Sequence, residues 1–178
     1  MIIDTLASFS VAQSLVGLVA PAPSTKWLNL QENRTLLMQG NGNLYVEVRV
    51  TSAFSDGGAG TAFFVPCICT SDSPDGTGTV VAHVACIGVQ DMGQDKVNGM
   101  PATQLGLNKT LYLPLPRPSV MASGITTLSS GIPAYLQQYL GMVYLNTGSG
   151  TQQWTAGAVS ARLVSTPGGF VGYKDGIV

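Results

Sequence analysis

The chain has 178 residues, of which 45% are hydrophobic and only 10% charged, with a net charge of −1 and a mean hydropathy of +0.28. That length accommodates one domain with a full core. A charged fraction so far below the usual share favours burial against other subunits, and the eight scattered basic residues exclude the Lys and Arg clusters of nucleic-acid binding.

The first stretch, MIIDTLASFSVAQSLVGLVAP, carries a single charge at Asp4 and no basic residue precedes Lys26. It therefore lacks the positive start of a secretion signal. Asp4, Ser8, Ser10, Gln13 and Ser14 break it well short of the roughly 18–20 apolar residues needed to span a bilayer. No membrane partner is expected. Residues 1–20 are expected to form an uncleaved arm that buries Ile2, Ile3, Leu6, Phe9 and Val11 against the domain or a neighbour.

Further along, LYVEVRVT alternates Leu44, Val46, Val48 and Val50 with Tyr45, Glu47, Arg49 and Thr51, the period of a half-buried antiparallel strand. The turn-forming QGNGN and SDGGAG bound it. A second strand, TAFFVPCICT, contains Pro66, which cannot donate to a ladder and calls for an edge position or a bulge. After the turn SDSPDGTG, the β-branched TVVAHVACIGV gives a third strand. Residues 90–108 show no sustained period and are expected as one long loop. TLYLPLPRP fits an edge strand running into an extended segment. YLQQYLGMVYL mixes helical spacing with Gly141 and a Tyr-rich content, and is read as a strand. The last strand, AGAVSARLV, sets Val159, Ala161 and Leu163 opposite Ser160 and Arg162, and residues 167–178 follow as a tail. Short strands punctuated by Gly, Pro and Ser define an all-β fold, an antiparallel β-sandwich or jelly roll in one domain.

The inventory for chemistry is small. His83 is the single histidine, set by alternation beside Val81, Ala85 and Ile87, and reads as structural or surface. Cys67 and Cys69 share one strand face, where a mutual disulfide is strained, so with Cys86 they are expected as reduced, buried thiols. The Cys67-x-Cys69 spacing also lacks the gap of a zinc knuckle, and no metal or cofactor is expected. Asp72, Asp75, Asp91 and Asp95 fall in turn or loop sequence, where Asp bonds nearby backbone N–H groups. Glu47 reads as a solvated charge beside Arg49. Trp27 and Trp154 read as packing residues rather than a sugar platform. The chain is thus expected to be no enzyme; a hydrolase would require Asp91 or Asp95 to converge with His83.

Three stretches carry a resemblance: MIIDTLASFSVAQSL at the start, the strand NLYVEVRVTSAF, and YLGMVYLNTGSGTQQWTAGAVSARLV near the end. They resemble the jelly-roll capsid cement, or decoration, proteins of tailed bacteriophages, especially those of the Bordetella podovirus type. The resemblance implies a non-enzymatic virion protein that binds the outside of an HK97-fold shell and staples neighbouring major capsid subunits. The apolar arm residues Ile2, Ile3, Leu6 and Phe9 are the expected capsid or partner contacts. Low charge and exposed strand edges also point to self-association as a homodimer or trimer. A carbohydrate- or receptor-binding sandwich is the competing expectation.

Overall fold

The computed structural model describes residues 8–18, 20–30, 44–57, 62–85, 89–92, 95–115, 137–148 and 153–164, with backbone alone for 84, 85, 89–92 and 95–98. Twelve strands occur among them: β1 (Ser8–Ser14), β2 (Ala22–Pro23), β3 (Leu28–Asn29), β4 (Tyr45–Ser55), β5 (Phe63–Ser71), β6 (Val80–Ala85), β7 (Val89–Met92), β8 (Asp95–Asn98), β9 (Met100–Pro101), β10 (Thr110–Pro114), β11 (Tyr139–Asn146) and β12 (Ala156–Val164). One sheet has the order β1-β12-β4-β10 and the other β2-β11-β5-β6, with β3 also on β11 and β9 also on β5. Every pairing is antiparallel. No helix among the described residues is long and apolar enough to cross a membrane.

Alternation explains why the two sheets close on each other. Val46, Val48 and Val50 of β4, Leu111 and Leu113 of β10, and Val159, Ala161 and Leu163 of β12 point to one side of the first sheet. They join Phe64, Ile68, Leu140, Met142 and Tyr144 of the second sheet in a single buried cluster. Each Val, Leu, Ile, Met or Phe side chain among them contributes about 1.5–3 kcal/mol on burial, and together they hold an antiparallel β-sandwich. The Phe54 ring of β4 meets Phe64 of β5 with centroids 5.0 Å apart, and Phe64 stacks on Tyr144 at 6.0 Å. Trp154 stands edge-on to Phe54 at 4.9 Å and 84°. The Ser10 and Tyr144 hydroxyls lie 2.8 Å apart, a polar tie between the sheets inside the core. Burial pushes the Tyr144 phenol well above its ordinary pKa.

Two expectations change. The long loop over 90–108 is replaced by the hairpin β7–β8, by β9 and by a 3-10 turn at Ala102–Gln104. Met92 pairs with Asp95, so two residues, Gly93 and Gln94, connect the strands. The four-residue polar strands were too short to show a period, although Gly in the first connecting position is a hairpin signal. Pro66 lies on an interior strand and not at a bulge, but at a gap in the pairing on one side. The Phe63 N–H donates to Asn146 Oδ1 on the β11 side, so by alternation the nitrogen of Pro66 faces the other side. There β9 pairs with Phe63 and Phe64 and β6 resumes at Cys67, leaving Pro66 in the interval where no donor is required.

Candidate interaction site

Strand β5 is buried at all nine positions, which one core cannot accomplish because successive side chains point to opposite faces. Val65, Cys67 and Cys69 form a second cluster with Val143 on the outer face of the sheet, with Trp27 and Leu145 packed against it. The Trp27 indole lies so close over Gly141 and Gly76 that a Cβ at either glycine would overlap its ring atoms. At Gly76, φ is +71°, so glycine is favoured there on both counts. Beside this roof Pro21, Pro23, Val80, Ala82, Val143 and Leu145 line an open recess of about 260 Å³ that also reaches Cys67 and Cys69. Every residue that lines it is apolar or glycine, and Val80 is 39% exposed. An apolar hollow open to water is suited to receiving a partner's side chains, because each one removed from water on both sides stabilises the contact.

The residues expected to meet a partner are distributed differently. Ile2, Ile3 and Leu6 lie outside the described residues. Phe9 is 0% exposed and belongs to the chain's own core. Its carbonyl accepts hydrogen bonds from the Lys26 N–H at 2.9 Å and the Thr25 hydroxyl at 3.1 Å, so this part of the expected arm is a sheet strand. Val11, expected to be buried, is 70% exposed. The cause is local: the β1–β12 register shifts between Ser8 and Ser10, so Phe9 and Ser10 are both buried and Val11, next in line, faces outward. A second shift between Ser10 and Gln13 follows, where Ala12 adopts a φ of +45°.

His83 sits where the β5–β6 register shifts, with Nε2 2.6 Å from the Thr70 hydroxyl. Burial lowers its pKa from the ordinary 6.5. The unfolded chain therefore takes up a proton below about pH 6.5 that the folded chain resists. Stability is complete above that pH and declines as pH falls through 6.5 toward the lower folded value. Thermal melts between pH 7.5 and 5.5 should show this decline in the wild type, and His83→Gln should flatten it.

Cys67 and Cys69 are buried thiols not joined in a disulfide, and burial together with the neighbouring Cys67 thiol pushes Cys69 up to about 12. Both should resist a thiol-directed reagent in the native protein and react once it is denatured, because the thiolate is the nucleophile. Cys86 lies outside the described residues. Asp72 accepts from the Thr79 N–H at 2.8 Å. Asp75 accepts from the hydroxyls of Ser73 and Thr77 and the N–H of Thr77, which lower its carboxyl to about 2. Both therefore organise the β5–β6 turn. Asp91 and Asp95 lie on the hairpin, with no side chains described. Among the described residues no three His, Cys, Asp or Glu gather to hold a metal ion. Glu47, expected as a solvated charge, is buried and paired with Arg162 across the sheet, Nε to Oε1 at 2.8 Å. Trp154 is core, as expected of a packing residue.

No family model matches the chain, and no curated protein matches it. Of the residues that make the outer recess, the sequence singles out Cys67 and Cys69 as buried thiols but does not mark Pro21, Pro23, Val80, Ala82, Val143 or Leu145 as its lining. The available signal was the unbroken apolar run FFVPCIC, since a strand covered on both faces loses its polar alternation.

Proposed function

We propose that the chain is a structural assembly protein of jelly-roll topology that decorates and cements the outside of an HK97-fold phage capsid, bridging neighbouring major capsid subunits. The topological part rests on strand order. With β2 and β3 counted as one position on β11, and β6 and β9 as one on β5, each sheet has four positions. Numbered along the chain these run 1-8-3-6 and 2-7-4-5, the interleaving expected of two Greek keys wrapped around one core.

The observation that carries the functional part is the apolar recess on the outer face of β5 and β11, in a chain with 10% charged residues. Its partner in this reading is a major capsid subunit, with self-association of the bound copies as dimers or trimers. The protein is made in the bacterial cytoplasm and resides on the outer capsid surface, without a catalytic or nucleic-acid role. The competing sugar platform loses support because Trp154 is core and Trp27 is pressed against two glycines. Electron cryomicroscopy of isolated heads incubated with the protein tests the proposal. Ordered external density at junctions between capsid subunits is expected, and bare heads at saturating protein would reject the assignment.

A further inference from the structure

The outer surface of the four-stranded sheet carries the opposite chemistry. Glu47, Arg49, Thr51, Asn108, Ser160 and Arg162 line an open hollow of about 280 Å³. Glu47 is satisfied there, since Arg162 donates to Oε1 and the Tyr112 hydroxyl donates to Oε2 at 3.3 Å. Arg49 is not matched in the same way. Its Nη2 donates to Asn108 Oδ1 at 2.6 Å, a neutral acceptor, and among the described residues no carboxylate forms an ion pair with it. A guanidinium has five N–H donors, and Arg49 is exposed, so the donors not directed at Asn108 face solvent and can be taken up by a ligand.

The acceptor that steadies Arg49 is itself fixed. Asn108 has a φ of +66°, a conformation Asn tolerates better than most residues. Its N–H donates to the Val50 carbonyl at 2.9 Å, and the Val50 N–H donates to the Lys109 carbonyl at 2.8 Å. Lys109 follows directly and is exposed. Two guanidinium groups, Arg49 and Arg162, thus share the hollow with one acid, Glu47.

We propose that this hollow receives a carboxylate side chain from an acidic protein partner, with Arg49 as its anchoring cation. The planar guanidinium fork matches a carboxylate in two parallel hydrogen bonds. The Ser160 hydroxyl, which accepts from the Ala12 N–H at 2.8 Å, retains its own proton to donate. The Thr51 hydroxyl is buried without a partner among the described residues. A phosphate dianion suits the hollow less well, because the Glu47 carboxylate lines the same wall and repels the second charge. A free small acid would gain only these few contacts, whereas a side chain carried on a protein surface adds them to the rest of an interface. Any acidic protein surface can supply the carboxylate, so binding is measurable without a capsid.

The test is a nuclear magnetic resonance titration of the Arg49 Nε–H and Asn108 side-chain amide signals in the full chain. The probes are a capped Gly-Glu-Gly-Glu-Gly peptide, its Gln counterpart, acetate, inorganic phosphate and chloride at matched ionic strength. The Glu peptide should shift both signals saturably, at least about fivefold more tightly than acetate, while the Gln peptide and chloride leave them unmoved. Arg49→Gln should abolish peptide binding. Asn108→Gly, which keeps the turn's positive φ but removes the acceptor, should weaken it several-fold, so loss of fold in one variant leaves the other decisive. Equal response to chloride or the Gln peptide would overturn the proposal. So would tighter binding of phosphate, acetate as tight as the peptide, or undiminished binding by both variants.

Discussion

Replacing Phe9 by alanine is expected to destabilise the protein by about 3–5 kcal/mol, the range for truncating a fully buried aromatic. Phe9 is 0% exposed within the main cluster and lies on β1, whose only sheet neighbour among the described residues is β12. The lost ring leaves a void at the margin of the sandwich, and β1 holds the edge there through the bonds from Thr25 and Lys26 to the Phe9 carbonyl. For a domain of this size each kcal/mol moves the melting temperature by about 2–4 °C, so a drop of roughly 6–20 °C is expected by calorimetry. A variant that melts like the wild type but binds its partner poorly would return Phe9 to the role of a contact residue.

Trp154→Ala should cost a similar amount, about 3–5 kcal/mol. The side chain is 1% exposed and meets Phe54 edge-on, and Phe54 in turn packs on Phe64 of the opposite sheet. Removing the indole therefore unsupports an aromatic chain that runs from one sheet to the other. Trp154→Phe keeps an aromatic edge and sacrifices no indole hydrogen bond formed among the described residues, so it should be the milder change. Urea unfolding of the two variants checks the order, and equal midpoints would contradict it.

The sequence made β4, β10, β11 and β12 legible because each places apolar residues on the core side with polar or turn residues marking its ends. Of YLQQYLGMVYL, read as a strand, Tyr139–Leu145 lies on β11 and Gln137 and Gln138 precede it, while Tyr135 and Leu136 lie outside the described residues; Gly141 there admits the Trp27 ring. What failed to show depends on partners distant in the chain. Glu47 and Arg162 are 115 residues apart, and only the β4–β12 register brings them together. Val11 looked like an arm residue to be buried, but the register shift between Ser8 and Ser10 turns it outward. The outer recess assembles Pro21 and Pro23, Val80 and Ala82, and Val143 and Leu145 from three separate stretches, none of which carries a motif. In each case the sequence supplied the residues and the sheet pairing supplied the meeting.

In the proposed function, the outer face of β5 and β11 is the surface through which this protein joins an assembly. Val80→Glu addresses it directly, since Val80 is 39% exposed and lies in the apolar recess away from the main core. A surface substitution of this kind should change folding stability by no more than about 0.5 kcal/mol, while burying an unpaired charge in an interface should weaken binding by at least about tenfold. Cosedimentation of wild-type and Val80→Glu protein with isolated capsids, over a range of protein concentrations, is the measurement. The account predicts saturable binding by the wild type and a binding curve displaced tenfold or more for a variant with an unchanged melt; superimposable curves, or no sedimentation of the wild type at all, would contradict it.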